Sequence, residues 1–389
     1  MDSASGRVVI IGGGVIGCFV AYFLRDLGHV GPIAVIERDS SYRFASTSLS
    51  AASIRTQFGC RVNVELSLFG ASFLKRIGQI FDDEVDVGLV ERGYLILTPP
   101  EAVGSRRDAL RMQREAGADV AELTPAELSR RAPWINSDGV AMATLGLSGE
   151  GWFDAWSLLQ AVRRAARKHN VEFIQAEASG IELSGGRVSA VRTTDGARHA
   201  ADWCVNAAGA LSGRIAGWLG MTIPVVPKKR TVFRFKAPLD GGDMPMLFDI
   251  SGAWMRPEGD GFIGGIQPPA VGDPDAYDDF DPDHALFDQL WPLLAGRIPA
   301  LEQLRVTNAW AGHYEMNMFD HNGIVGPHPD TANFLFATGF SGHGVMHSPG
   351  VGRAVAEHII SGRYRTIDVS PLGFDRIANG VPMPESAIY

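Results

Sequence analysis

The chain has 389 residues, 46% hydrophobic and 20% charged, with a formal net charge of −9. This composition fits two domains or one bilobed unit with a sizeable core, and the acidic balance argues against nucleic acid as a partner. Cys18, Cys60 and Cys204 are far apart with no C-x-x-C pair. That excludes a disulfide framework and a zinc site and points to a reducing compartment, so no metal is expected. No run reaches the roughly 18 apolar residues of a membrane span. The N-terminus is a short polar lead without a signal core, which makes the cytoplasm the expected location.

After that lead, Arg7–Ile11 reads as a buried strand, and Gly12, Gly14 and Gly17 form G-x-G-x-x-G. A helix is predicted from Val15 to about Leu27, then a second buried strand, Ile33–Ile36, stopping on Glu37. This βαβ unit is a dinucleotide fingerprint. The helix N-terminus, opening at Val15 and Ile16, offers N–H groups and a positive dipole end to a pyrophosphate. Glu37 can accept from both ribose hydroxyls and would repel a 2′-phosphate, which favours FAD or NAD over NADP. The motif alone does not choose between those two.

The segment from Arg38 to Gly59 is rich in Ser, Thr and Ala. It reads as a loop lying along the cofactor, with Arg55 pointing into a cavity. Helices are predicted over Asn63–Ile80, Arg106–Gly117 and Thr124–Arg131, the last with Thr124 as N-cap and Pro125 in the first position. Gly88–Thr98 reads as a strand. Gly151–Asn170 reads as a helical segment with Asp154 as its N-cap. Short strands follow at Val171–Ile174, Gly180–Leu183, Val188–Thr193 and Trp203–Asn206. The run VNAAGA (Val205–Ala210) ends a strand in small residues that leave room for a cofactor.

Arg230–Lys236, Met246–Ile250, Ala253–Pro257 and Gly261–Ile266 read as an antiparallel meander, and Arg305–His313 as a further strand. Asp273–Asp283 reads as an acidic surface loop, followed by a helix to Leu294. Asp320–Pro329 reads as a turn-rich loop. Asn333–Gly362 reads as a strand, a glycine turn and a helix.

The N-terminal βαβ unit with Glu37, the VNAAGA strand end and the TGFSGHG turn resemble, in this order, the D-amino-acid oxidase superfamily of FAD enzymes, near sarcosine oxidase and glycine oxidase. LSLFGASFL, FDHNGIVGPHP and FATGFSGHGVMHSPGVGRAVAE are closer to the FAD-dependent oxidoreductase-domain group, which includes a mitochondrial protein linked to assembly of respiratory complex I. It is the resemblance, covering essentially the whole chain, that selects FAD. It implies a bilobed α/β (α+β) fold. A Rossmann-type FAD-binding domain would comprise residues 1–85, 145–222 and 316–389. A substrate domain with a mostly antiparallel sheet would comprise 86–144 and 223–315.

The resemblance also implies roles. Gly12, Gly14 and Gly17 would hold the pyrophosphate, and Glu37, with Arg38 beside it, the adenosine ribose. Ser46, Thr47, Ser48, Ala51 and Ala52 would line the flavin side. Ala178 would lie near adenine, and Ala207, Ala208 and Gly209 beside the cofactor. The turn Gly339, Phe340, Ser341, Gly342, His343, Gly344 would donate N–H groups near flavin N1 and O2, stabilising the anionic reduced form. Arg55 matches an arginine that grips the substrate carboxylate, as a guanidinium is suited to do, and Tyr314 matches a tyrosine over the flavin. His343 is a further catalytic candidate and a flavin neighbour, whereas His313 and His347 read as structural. Trp254 and Arg256 are candidates for the cavity's far wall.

Four positions depart from sarcosine oxidase. Gly312 stands where a cysteine bonds FAD, so FAD should be non-covalent. Met346 replaces a carboxylate-binding lysine, Ile263 or Gly264 the lysine that promotes reaction with oxygen, and Gln267 a histidine. The implied activity is oxidation of the C–N bond of a primary or secondary amino acid to an imine, with oxygen or another electron acceptor. The alternative is a flavin-bearing assembly or scaffold protein without turnover. An NAD-dependent dehydrogenase would not use the C-terminal glycine turn.

Overall fold

A computed structural model describes residues 5–81, 84–269 and 271–385. The first four residues of the polar lead lie outside these. Two large sheets organise the chain. The first has six strands in the order Ile324–His328, Thr331–Thr338, Trp203–Asn206, Val8–Ile11, Ile33–Glu37, Glu172–Gln175. All neighbours are parallel except the Ile324–His328 edge. The β-branched run Val8–Ile11 is buried on both faces, as a central parallel strand must be. Helix Val15–Asp26 buries ten consecutive residues from Val15 to Leu24. It packs against helix Gly344–Ser361, where Gly352 leaves room for Phe19.

The second sheet has eight strands: Arg305–Asn317, Val225–Lys236, Gly261–Gly265, Trp254–Glu258, Met246–Phe248, Tyr94–Thr98, Met142–Gly146, Val120–Leu123. It is antiparallel except where Met246–Phe248 runs parallel to Tyr94–Thr98. The predicted meander is therefore the middle of a wider, mixed sheet. The overall class is α/β as expected.

Local signals hold where the cause is local. Thr124 caps helix Pro125–Arg131 with Glu127 in a reciprocal capping box, and Asp154 caps Ala155–Lys168. Several boundaries need correction. The predicted helix Asn63–Ile80 is two helices, Arg61–Lys75 and Ile77–Phe81, broken at Arg76. The strand predicted from Gly88 begins only at Tyr94, because Gly93 has φ +80°. Gly151–Trp152, expected within a helical segment, pairs with Ser53–Ile54 as a small sheet. The loop predicted at Asp320–Pro329 contains strand Ile324–His328, whose alternation Gly326 and Pro327 conceal.

The acidic segment Asp273–Asp283 is not a free surface loop. Lys228 pairs with Asp275 at 3.0 Å, Lys229 with Asp279, and Arg230 with Asp273 at 2.9 Å. Ala276 donates its N–H to the Pro227 carbonyl at 2.9 Å. Three consecutive basic residues on one strand thus hold an acidic loop across it. Among the described residues no helix is long and apolar enough to cross a membrane.

Candidate functional site

The strands Val8–Ile11, Ile33–Glu37, Trp203–Asn206 and Thr331–Thr338 all end at one cavity of about 540 Å³. Ligands of open α/β sheets bind at that end. Gly12, Gly14, Val15, Ile16, Glu37, Arg38, Ala207, Ala208 and Gly209 line its floor. Gly12 has φ +103°, and a Cβ there would overlap the Ala207 carbonyl, so only glycine fits. Gly14 is the N-cap of helix Val15–Asp26 and brings no side chain to its N-terminal N–H groups. Thr47 Oγ1 accepts from the Val15 N–H at 3.3 Å, tying the Ser/Thr loop to the helix start. Glu37 accepts from the Gly13 N–H at 2.8 Å and the Asp39 N–H at 3.0 Å, and burial raises its pKa. Gly17 does not face the cavity; it packs against Gly12. Ala178 lines a smaller cavity of about 90 Å³, with Glu37, Arg38 and Trp218. Gly12, Glu37, Arg38, Ala208 and Leu211 border both.

Ser46, Thr47, Ala51 and Ala52 line the large cavity; Ser48 does not. Its opposite wall comes from the eight-stranded sheet, with Tyr94, Val232, Met246, Phe248, Trp254, Gly312 and Tyr314, and from Ile266 and Gln267 just past strand Gly261–Gly265, joined by Met346 and by Arg55. Arg55 is 4% exposed, donates to the Gln57 carbonyl at 2.9 Å and lies over the Phe58 ring. The adjoining chain is fixed by buried Glu150, which accepts from Thr56 N–H and Oγ1 at 2.7 and 2.6 Å and from Gln57 Nε2 at 2.9 Å. Burial raises the Tyr314 pKa, so its hydroxyl stays protonated.

In the C-terminal turn the expected row of donors is partly spent. The Gly339 N–H donates to Glu315 Oε2 at 3.0 Å, the Ser341 N–H to the Glu315 carbonyl at 3.1 Å and the His343 N–H to the Phe340 carbonyl at 3.0 Å. Ser341, Gly342 and Gly344 line the cavity, while Gly339, Phe340 and His343 do not. At Gly342, with φ +97°, a Cβ would overlap the Tyr314 ring.

Two of the catalytic and substrate-binding candidates sit away from the cavity. The His343 ring is buried against Phe58, Phe340 and His347, both its nitrogens lack partners, and burial lowers its pKa far below the usual histidine range. It is a neutral core residue. Arg256, two residues along the strand from Trp254, reaches instead to the Ala51 carbonyl at 2.7 Å and to Glu258. It braces the loop that carries Ala51. His347 bonds Ser67 at 2.9 Å, and burial takes its pKa to about 3. His313 does line the cavity, with its ring stacked 4.0 Å from Phe280.

Sequence reasoning missed three features of this wall. Arg230 is cavity-lining, 8% exposed, and lies 5.4 Å from the Tyr314 ring centre. Glu315 is a buried carboxylate at the cavity edge. Tyr277, Asp278 and Phe280, from the acidic loop, border the mouth. The predicted alternating strand begins at Arg230, but nothing local identified which way that side chain faces or its partner.

The arrangement fits FAD. The glycine cradle, the helix N-terminus without a side-chain cap of its own and the buried acid at the second strand's end suit the nucleotide half. The cavity then runs on beneath a second sheet carrying an arginine among apolar walls. This is the architecture of a bilobed, dinucleotide-dependent oxidoreductase.

The profile of the family described as DAO, FAD dependent oxidoreductase, matches residues 7–358. The chain is 41% identical to the FAD-dependent oxidoreductase domain-containing protein 1 of Bos taurus, over 98% of this chain and 86% of that protein. It is 26% identical to the mitochondrial sarcosine dehydrogenase of Mus musculus, over 92% of this chain and 40% of that one. The solved structure of L-proline dehydrogenase from P. horikoshii aligns with a TM-score of 0.86 and 26% identity, over 97% of this chain and 99% of that one. Glycine oxidase from Geobacillus kaustophilus shares the fold, with a TM-score of 0.80 and 24% identity, over 95% and 98% of the two chains. The chain belongs to the DAO family of FAD-dependent oxidoreductases, and its cofactor is FAD.

Proposed function

We propose that the protein oxidises the C–N bond of a primary or secondary amino acid to an imine. The observation that carries this reading is that buried Arg55 and an apolar wall of Tyr94, Met246, Phe248, Trp254 and Met346 share one cavity with the glycine cradle. Gly12, Gly14 and the first turn of helix Val15–Asp26 would hold the pyrophosphate, Glu37 the ribose, and Ala178 would border adenine. Ser46, Thr47, Ala51, Ala52, Ala207, Ala208, Gly209, Gly342 and Gly344 would border the rest. Bound there, FAD supplies a two-electron acceptor for the hydride leaving the carbon next to nitrogen.

The chain's own residues bind and orient. Arg55 takes the carboxylate through a planar fork of donors, already aligned by Phe58 and Gln57. The Tyr314 hydroxyl, kept protonated, would hydrogen-bond the substrate. Tyr277, Asp278 and Phe280 limit water at the mouth. The imine then hydrolyses to a carbonyl compound and an amine. Gly312 brings no thiol, and none of the three cysteines lines the cavity, which supports non-covalent FAD.

The test is turnover of a panel of N-methyl, cyclic and primary amino acids with a dye as electron acceptor, with the carbonyl product identified. A substrate in this class yields product in step with dye reduction. A panel without turnover by protein loaded with FAD contradicts the assignment.

A further inference from the structure

Glu315 is a buried carboxylate at the cavity edge and at the junction of three segments. Its Oε2 accepts from Thr338 Oγ1 at 2.8 Å and from the Gly339 N–H at 3.0 Å. Thr338 Oγ1 is in turn 2.6 Å from Ser212 Oγ. A hydroxyl has one proton to give, so the hydrogens run from Ser212 to Thr338 to Glu315. The carboxylate thereby joins the Gly209–Ser212 segment to the Thr338–Gly344 turn, two of the cofactor segments of the proposed site. Its Oε1 lies so close to Gly344 that a Cβ there would be only 3.1 Å away.

We infer that Glu315 is the redox-linked proton site of this cavity: it takes up one proton from solvent when the bound cofactor receives two electrons. This rests on the cofactor lying in the large cavity. Glu315 is set up for such a role because, among the described residues, no cation pairs with it. The charged and titratable groups within three residues of Glu315 or of its strand partner Pro227 are Tyr314 and His313 on its own strand and Lys228, Lys229 and Arg230 on the paired strand, with His343 in the turn. Lys228, Lys229 and Arg230 are committed to Asp275, Asp279 and Asp273. Burial keeps Tyr314 protonated and His313 and His343 neutral. Burial alone raises the Glu315 pKa, to about 6, against hydrogen bonds from Thr338, Gly339 and Phe340 that lower it. Negative charge arriving in the same low-dielectric cavity repels the carboxylate charge and moves its pKa further upward.

The electrons come from the reductant, the amine in turnover or dithionite in a titration, and go to the flavin with one proton. The second proton goes from solvent to a Glu315 carboxylate oxygen. One O–H bond forms there as one O–H bond of the solvent hydronium breaks.

The test is the midpoint potential of the FAD-loaded protein as a function of pH, by dithionite titration, so that no amine substrate is needed. Each proton taken up per two electrons contributes about 30 mV per pH unit. Above pH 6 the wild type is expected to slope by about 60 mV per pH unit, and Glu315→Gln by about 30 mV. A wild-type slope of about 30 mV, or equal slopes in the two proteins, overturns the inference. Should Glu315→Gln fail to load FAD, Thr338→Val serves instead. It removes a donor to the ionised carboxylate, so the break in the slope moves to higher pH; an unmoved break overturns the inference. Gly12→Val tests the cofactor's location separately, through its FAD content: retained FAD would place it elsewhere, whatever Glu315 does.

Discussion

The guanidinium carbon of Arg55 lies 3.9 Å from the centre of the Phe58 ring, and its Nη1 donates to the Gln57 carbonyl next door. Phe58 is itself held by the rings of His343 and His347, at 5.3 and 5.0 Å. A long, flexible side chain is thus fixed on a rigid backing before any ligand arrives, which lowers the ordering cost of binding. His343 acts through this packing, as the neutral support of the group that supports the arginine.

If Arg55 holds the substrate carboxylate, Arg55→Met should weaken binding by roughly 2–5 kcal/mol, the scale for truncating one partner of a buried charge pair. FAD content should stay unchanged, because the arginine is not proposed to touch phosphate. Arg55→Lys should recover only part of the loss, since an ammonium lacks the bidentate fork. Spectral titration of the FAD-loaded variants gives the dissociation constants. Equal constants for wild type and Arg55→Met would remove Arg55 from the site.

Glu315 also has a consequence for stability. Its native pKa, about 6, is raised above the ordinary glutamate value. The native state therefore binds more protons than the unfolded state between about pH 4.5 and 6. The contribution of this group is fully present below that window and is lost as pH rises through it. A shift of this size corresponds to about 2 kcal/mol. Relative to Glu315→Gln, wild type should lose about that much stability between pH 4.5 and 7. Denaturant midpoints of both proteins at the two pH values measure it. A constant difference between them would mean that Glu315 titrates normally.

The acidic loop is fastened by Arg230 and Asp273, both largely buried at the pair. Asp273→Ala leaves the Arg230 charge uncompensated, and its Nε already lacks a partner. Breaking a buried pair from one side costs about 3 kcal/mol. We expect faster amide hydrogen exchange over residues 273–283 and a raised KM, with the exchange of helix Val15–Asp26 unaffected. Unaltered exchange in the loop would show that Lys228 and Lys229 hold it without Arg230.

No lysine lines the cavity among the described residues, and the strand Gly261–Gly265 carries none. A positive charge beside the flavin assists the first electron transfer to oxygen. The cavity's buried arginines are otherwise engaged, Arg230 with Asp273 and Arg55 with the Gln57 carbonyl; without a lysine in that role, oxygen reduction should be slower by roughly 10²–10³-fold, as for loss of an oxyanion-stabilising group. Reduced protein should therefore pass electrons faster to a dye or quinone than to oxygen. Stopped-flow mixing with air-saturated buffer checks this. Reoxidation at the rate of an efficient oxidase would assign the charge to Arg230, the arginine beside Tyr314.

What was legible in the sequence is what neighbours in the chain determine. The βαβ unit, the caps at Thr124 and Asp154 and the meander all follow from periodicity and local chemistry. The first sheet's floor followed from Gly12, Glu37 and the Val205–Ala210 strand end. What was not legible depends on long-range pairing. Glu315 meets Thr338 across 23 residues, and Arg230 meets Asp273 across 43. Asp273–Asp283 reads as a solvated acidic loop until the three basic residues of the strand beneath it are seen. The turn Gly339–Gly344 was recognisable, but which N–H groups it keeps for a ligand depends on Glu315, on another strand. Arg256 and His343 were misplaced because the reach of a side chain along a strand or behind a turn has no periodic signature.

The most direct test mixes FAD-loaded protein with N-methyl and cyclic amino acids without oxygen or dye. The account predicts that at least one bleaches the long-wavelength flavin absorbance in a single, saturable phase, with one carbonyl product per FAD, and that Arg55→Met shifts the saturation to higher concentration. Fully loaded protein that stays yellow with every member of the panel, while dithionite still reduces it, would contradict amine oxidation and favour a flavin-bearing protein without turnover.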